Sequence, residues 1–195
     1  MPADLVWYVA YGSNMAADRL RAYLEGADDA GELGARFGVH RGCTDATPPR
    51  ADRALTLDRA VTYRGRSQRW SGGVAFLDLH PTPGTATPAR AWLLGVDQVA
   101  ELAAQEGRLA VAPAAEALAA IPPDGTLGLG GGWYDTILRL PDVDGRPALA
   151  ITTAQDLPEA APTPAYLATI AAGRDEIRAM PQPRRRPGSG PSRPG

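Results

Sequence analysis

Tyr8-Val9-Ala10-Tyr11-Gly12-Ser13-Asn14-Met15 is the stretch that decides the fold. It closes an apolar, β-branched and aromatic run that begins at Leu5 and is short enough to be one buried strand. The run stops at Gly12-Ser13-Asn14. Met15 to Leu24 then reads as a helix, with Leu20, Tyr23 and Leu24 on one face. Gly12 lets the backbone approach a ligand closely or take positive φ. Ser13 or Asn14 is expected to cap the helix start. Free backbone N–H groups there, with the positive end of the helix dipole, favour a carboxylate or a developing oxyanion. An ordinary strand-to-helix turn would use the same residues.

The second informative stretch is Asp97 to Gly107. Asp97 suits an N-cap and Gly107 a stop. Val99, Leu102 and Ala103 form the apolar stripe, and their spacing continues to Glu106. At ~3.6 residues per turn Glu106 lies on the face that should be buried, while Glu101 and Gln105 fall off it and read as solvated. A carboxylate on an apolar stripe is costly unless paired or protonated, and desolvation should raise its pKa. The alternative is a helix-end glutamate that bends out to water.

Around these two stretches the chain reads as short strands. Glu25 to Ala35 is polar and Gly-rich, a loop, and Arg36 to Cys43 a short twisted strand. Ala54–Leu57 and Ala60–Tyr63 alternate like edge or barrel strands. Trp70–Gly73 is a turn into the strand Val74–Leu79, and Ala89–Leu94 is the next strand. Val111 to Pro123 holds a short helix, and Gly125 to Gly132 a loop that could act as a lid. Tyr134–Leu140 and Ala148–Thr153 pair as a hairpin around Asp144-Gly145. Thr163-Pro164 starts a last helix, with Tyr166, Leu167, Ile170 and Ala171 on its inner face and Gly173 within it. Residues 1–180 form one domain. From Pro181 on, only polar residues, Pro and Gly remain, which predicts a disordered tail with an Arg184-Arg185-Arg186 run. About seven strands with about three irregularly interspersed helices argue for an α+β fold: a small mixed, mostly antiparallel β-barrel with peripheral helices.

Composition removes several function classes. Net charge is -2, which points to neither nucleic acid nor an anionic membrane. Arg64, Arg66 and Arg69 beside Trp70 therefore read as a solvated loop. All 20 basic residues are arginine, so no P-loop lysine exists. The single Cys43 excludes a disulfide framework and reads as a small structural residue. His40 and His80 lack metal-ligand spacing, so a metal centre is not expected. Gly128-Leu129-Gly130 does not continue into a dinucleotide fingerprint, because Trp133 stands where the third glycine belongs. No signal-like or membrane-spanning run occurs, which leaves the cytoplasm as the expected compartment. Oligomeric state is not legible.

The residues also carry a resemblance. Val9-Ala10-Tyr11-Gly12-Ser13-Asn14-Met15 after a first strand resembles the YGSN signature of the γ-glutamylcyclotransferase-like superfamily. Trp70 to Ala75 resembles that family's Gly-rich segment before the central strands. Ala89 to Gly107 resembles its strand and helix ending in Glu-Gly. Pro164 to Leu167 with Ile170 and Gly173 resembles its C-terminal helix. The set follows family order from residue 5 to 180, apart from the Ala/Gly/Pro-rich insertion Val111–Gly132 and the Pro/Arg tail. The resemblance implies a cofactor-independent enzyme that converts a γ-glutamyl amide to 5-oxoproline plus free amine. Glu106 would be the general acid/base. Tyr11, Gly12, Ser13, Asn14 and, more weakly, Tyr166 would bind substrate. Two other readings use the same residues: a catalytically silent metabolite-binding module, and an amide or ester hydrolase acting through Ser13. The leaving amine stays unidentified.

Overall fold

The computed structural model describes residues 4–180; the expected tail from Pro181 lies outside the described residues. The first strand, β1 (Leu5–Ala10), is buried on both faces and lies centrally in a six-stranded sheet. The other strands are β2 (Asp52–Leu57), β3 (Val61–Ser67), β4 (Gly72–Leu77), β5 (Thr87–Gly95), β6 (Thr126–Gly128), β7 (Thr136–Val143) and β8 (Arg146–Thr152). The large sheet runs β2-β5-β1-β8-β7-β6, and β3 pairs with β4 in a second sheet. Only the β1–β8 pairing is parallel. The helices are α1 (Ala17–Glu25), α2 (Glu32–Phe37), α3 (Val96–Glu106), α4 (Ala115–Ala119) and α5 (Pro164–Ala179), with a one-turn 3-10 helix at Ser13–Met15.

The expected α+β class and largely antiparallel sheet hold, but the sheet does not close into a barrel. The two sheets meet through side-chain and loop hydrogen bonds in place of a ladder. The Thr152 hydroxyl of β8 accepts from the Leu77 N–H (3.1 Å) and donates to the Leu77 carbonyl (2.7 Å) of β4. The loop after β8 covers β3 and β4, with Gly65 N–H to Pro158 C=O and Gly73 N–H to Ala161 C=O, both 2.9 Å. Gly73 has to be glycine here: a Cβ would sit 2.0 Å from the Ala160 carbonyl.

Five local expectations are corrected. Glu25–Ala35 is not all loop, because α2 begins at Glu32, and Arg36–Cys43 supplies the end of α2 and one bridge, Ala27 to His40, in place of a strand. Asp97 is not the N-cap of α3. That position is Gly95, whose N–H donates to the Gln98 side chain at 2.9 Å. Part of the Gly125–Gly132 loop is strand β6, and the rest is stitched to the end of α3 by Gly132 N–H to Gly107 C=O, 2.9 Å. On α5 the inner face is Tyr166, Ile170, Gly173 and Ile177. Leu167 is 42% exposed and Ala171 also faces water, because α5 packs its Gly173 backbone against Met15 and Ala16 and this rotates both away. The Asp144-Gly145 hairpin turn stands as expected, with both residues at positive φ (49° and 72°).

Candidate active site

The end of β1, the 3-10 turn and the end of α3 converge on one cavity of about 810 Å³. Tyr11, Gly12, Ser13, Asn14, Glu106 and Tyr166 all line it. The two stretches singled out in the sequence touch directly: the Asn14 Nδ2 donates to Glu106 Oε1 at 2.8 Å. The same Nδ2 donates to the Tyr8 hydroxyl, also 2.8 Å. A carboxylate only accepts, so this contact fixes which Asn14 atom is nitrogen. It leaves Asn14 Oδ1 buried and without a partner, a ready acceptor for a cationic N–H.

The turn is built differently from its sequence reading. Gly12 has φ -115°, so it is not glycine for the sake of positive φ. It is glycine because a Cβ would lie 3.1 Å from the Tyr166 hydroxyl and 3.2 Å from Ala75 Cβ. Neither Ser13 nor Asn14 caps a helix through its side chain. Instead α1 starts at Ala17, and the Glu176 carboxylate of α5 accepts the Ala17 N–H at 3.0 Å. The Gly12–Asn14 segment therefore does not sit at the N-terminus of a long helix, and no large helix dipole acts on it. What remains are N–H groups that precede the first hydrogen bond of the turn, Met15 N–H to Gly12 C=O (3.1 Å). The turn is held from behind, with Trp92 Nε1 donating to the Asn14 carbonyl and Arg90 Nη1 to the Met15 carbonyl, both 3.0 Å.

Glu106 is half-buried and faces a wall of phenols that sequence reading largely missed. Tyr8, Tyr11, Tyr23, Tyr134 and Tyr166 all have their hydroxyls pushed upward, first by burial, and each feels the Glu106 charge as a further push. For Tyr166 the shift is to about 12. All five are therefore neutral donors at any physiological pH. Tyr11 uses its hydrogen on the Ile151 carbonyl (2.6 Å), and Tyr134 on the Ala75 carbonyl (3.0 Å). Tyr166 accepts from the Ala75 N–H (3.0 Å), so its own hydrogen points elsewhere, beside Gly12 and Ser13. Tyr8 and Tyr23 lie on apolar stripes, which is why the sequence presents them as core.

Of the two residues read as solvated, Gln105 lines the cavity and Glu101 does not. Gln105 is half-buried and donates to the Tyr23 carbonyl at 3.1 Å, holding α1 against α3. Glu101 accepts the Thr44 N–H at 2.6 Å. The Arg66–Arg69 loop, expected to be solvated, lines the cavity mouth together with Trp70. Cys43 is packed between Tyr23 and Gln98 carbonyls, and burial pushes its thiol up to about 12, which fits its expected structural role. His40 also lines the cavity. Its Nε2 lies 2.7 Å from Arg19 and 3.2 Å from the Phe37 carbonyl, so that nitrogen is occupied away from Ser13.

The fold is one already seen in solved structures. One, described as "Gamma-glutamyl cyclotransferase", is similar at a TM-score of 0.54 and 16% identity, over 90% of this chain and 82% of that one. Another, an uncharacterized protein from Homo sapiens, is similar at a TM-score of 0.52 and 15% identity, over 95% and 93%. The resemblance read from the sequence thus holds at the level of the fold. No family model matches the chain. No curated protein matches it either. Among the described residues, no helix is long and apolar enough to cross a membrane.

Proposed function

We propose that this chain is a γ-glutamylcyclotransferase-type enzyme that releases 5-oxoproline and a free amine from a γ-glutamyl amide. The single observation that carries the reading is the Asn14–Glu106 hydrogen bond inside the cavity, with Asn14 Oδ1 beside it unpaired. A substrate α-ammonium placed there has a carboxylate to receive its proton and an amide oxygen to orient it. The N–H groups of Gly12 to Asn14 and the Tyr166 hydroxyl supply donors for the γ-carbonyl oxygen as it takes on negative charge.

The α-nitrogen attacks the γ-carbon, forming the lactam C–N bond, and the original amide C–N bond breaks. Two protons leave the attacking nitrogen. Glu106 relays them one at a time to the departing nitrogen, which leaves as an ammonium. No water is consumed, and Glu106 ends ionised as it began. Holding the glutamyl chain folded provides much of the acceleration, since oriented intramolecular reactions reach effective molarities of ~10⁵ M or more.

The test is 5-oxoproline release from a panel of γ-glutamyl amino acids and amines. Glu106→Gln keeps the acceptor for Asn14 but cannot carry a proton. It should lower kcat by ~10²–10⁴-fold with the fold intact. Turnover at the wild-type rate in that variant overturns the assignment.

A further inference from the structure

Arg19 of α1 is a buried cation that the reaction just described does not use. It is only 6% exposed, and among the described residues no acidic side chain lies within ion-pair distance of it. Such burial is costly unless other groups replace the lost water. Aromatic faces do part of this. The guanidinium lies 4.5 Å from the Tyr23 ring centre, 5.5 Å from Phe37 and 5.9 Å from Trp70. Its Nη1 lies 2.7 Å from His40 Nε2, and burial, then the Arg19 charge, lower the His40 pKa to about 4, so that nitrogen accepts. Its Nη2 donates to the Tyr23 hydroxyl at 2.7 Å. Its Nε is closed off from solvent without a partner.

The Tyr23 hydroxyl has one hydrogen, and its oxygen already accepts from Arg19. Gln105, the neighbour of Glu106 on α3, donates to the Tyr23 carbonyl at 3.1 Å, and Tyr23 and Glu106 line the same cavity. Burial raises the Tyr23 pKa, Arg19 pulls it back, and Glu106 raises it both as a charge and as a hydrogen-bond partner. The other four phenols feel Glu106 as a charge alone. Asn14 donates to Glu106 Oε1, which leaves room on the carboxylate for a second donor. Glu106 is also the one carboxylate in the cavity lining.

We propose that Arg19 and Tyr23 are positioning residues for Glu106: the buried guanidinium donates to the Tyr23 hydroxyl, and that hydroxyl donates to the Glu106 carboxylate. The inference rests on the cyclotransferase reading for its chemistry. Arg19 then has its counter-charge at one phenol's remove, which accounts for the lack of a direct acidic partner. Donors to a carboxylate favour its ionised form, and a cation behind the phenol strengthens the donor. Glu106 is thereby kept ready to take a proton and held with an oxygen toward the substrate nitrogen. Other groups face the same carboxylate. They are Tyr8 and Tyr11 of β1, Tyr134 ahead of β7 and Tyr166 of α5, all neutral, with the exposed Arg41, Arg66, Arg69 and Arg108 and neutral His40 around the cavity. None of these is altered when Tyr23 or Arg19 is replaced.

The experiment records pH profiles of kcat/KM for 5-oxoproline release by wild type, Tyr23→Phe, Arg19→Met, Arg19→Lys and the double variant Arg19→Met with Tyr23→Phe. Tyr23→Phe keeps the ring under Arg19 and removes only the hydroxyl. It should move the acid limb up by about one pH unit and lower kcat about tenfold, with KM within a few-fold. Arg19→Met should move the limb the same way, and Arg19→Lys, which keeps a cation on the phenol, should restore part of it. The double variant should lie within about twofold of Tyr23→Phe alone, because both changes cut one chain. An acid limb unmoved in Tyr23→Phe overturns the inference and leaves the cyclotransferase reading intact. So does an Arg19→Met loss that is all in KM and adds fully to that of Tyr23→Phe; it would put Arg19 on the substrate's α-carboxylate. A readout without turnover is the Tyr23 Cζ resonance of protein labelled with ¹³C-tyrosine. It should follow a carboxyl titration in wild type and lose it in Glu106→Gln. That coupling with no 5-oxoproline from any γ-glutamyl substrate would sink the reaction and keep the contact chain. A flat Tyr23 resonance in wild type overturns the chain whether or not product forms.

Discussion

At the scale of single residues, the site is governed by groups whose polar atoms have one place to go. Tyr166 is the clearest. Its oxygen accepts from the buried Ala75 N–H, and its hydrogen remains for the cavity. Tyr166→Phe removes both. The stranded N–H should cost about 1–3 kcal/mol, which at this chain length lowers Tm by roughly 2–4 °C per kcal/mol. In the proposed reaction the hydroxyl also serves the γ-carbonyl oxygen, so kcat should fall while KM stays within a few-fold. Differential scanning calorimetry and steady-state kinetics on one preparation separate the two effects. A Tm drop with unchanged kcat would confine Tyr166 to a structural role.

His40 makes a second residue-scale prediction, with a definite sign. Its folded pKa lies near 4, below the ordinary 6.5, so between those values the unfolded chain binds more protons than the folded one. Stability is therefore fully present above about pH 6.5 and declines as pH falls toward 4. The carboxyls of Asp45 and Asp135 are held below their usual 3.8, so their contribution disappears only at still lower pH. Melting curves from pH 7 to pH 5 should show a falling Tm in wild type. His40→Gln, which keeps an acceptor for Arg19 and does not titrate, should flatten that slope. A slope unchanged in the variant would place the titrating group elsewhere.

At the scale of elements, what was legible depended on whether a segment carried its own pattern. The β1 run, β4, β5, the Asp144-Gly145 hairpin and the α3 stripe each bury a regular face, and each lies where its periodicity put it. The stripe argument also put Glu106 on the correct side of α3, where it meets Asn14. The segments that were misread have no such pattern. α2 buries only Gly34 and Phe37, and its position depends on Arg19 stacking over Phe37 from another helix. β6 is three residues long and exists because β7 offers an edge. The capping of α1 by Glu176 spans 159 residues and leaves no local trace.

The α5 contact is the element-scale feature that most constrains the site. Gly173 lies against the 3-10 turn so closely that a Cβ would stand 2.5 Å from Ala16 N and 2.6 Å from Met15 Cβ. Gly173→Ala must push α5 outward despite its better helix propensity. Overpacking of this kind costs about 1–3 kcal/mol. The shifted turn carries Ser13 and Asn14, so KM should rise as well. The exposed Ala171→Ser on the same helix serves as the control and should change neither quantity. If Gly173→Ala raised Tm, propensity would outweigh packing and the close approach would be wrong.

At the scale of the whole molecule, one cation joins parts that are far apart in sequence. Arg90 of β5 is 7% exposed and lies 3.7 Å over the Trp92 ring. It pairs with Asp52 of β2 and Glu176 of α5, and donates to the Met15 carbonyl behind the site. Glu176 in turn caps α1. Sheet edge, C-terminal helix and the turn ending at Met15 thus share one guanidinium, and Glu176 extends the link to the first helix. None of this could be read from the sequence, where Arg90 looks like an outward residue on an ordinary strand. Arg90→Met preserves much of the stem volume but leaves two carboxylates facing each other without their cation. Breaking a fully buried pair costs about 3–5 kcal/mol. Asp52 and Glu176 keep 30% and 38% of their side-chain exposure, so water recovers part of that and about 2 kcal/mol is expected here. Denaturant unfolding should show the loss as a lower midpoint at unchanged m, the sign of a stability change without a change in the surface exposed. Asp52→Asn should cost less, because Arg90 would retain Glu176 and the Met15 carbonyl. The two variants also differ at the site. Only Arg90→Met releases the turn, so it alone should raise KM for the proposed γ-glutamyl substrate. A loss below about 0.5 kcal/mol, with KM unchanged, would reduce the network to an ordinary surface ion pair and remove its claim to position Asn14.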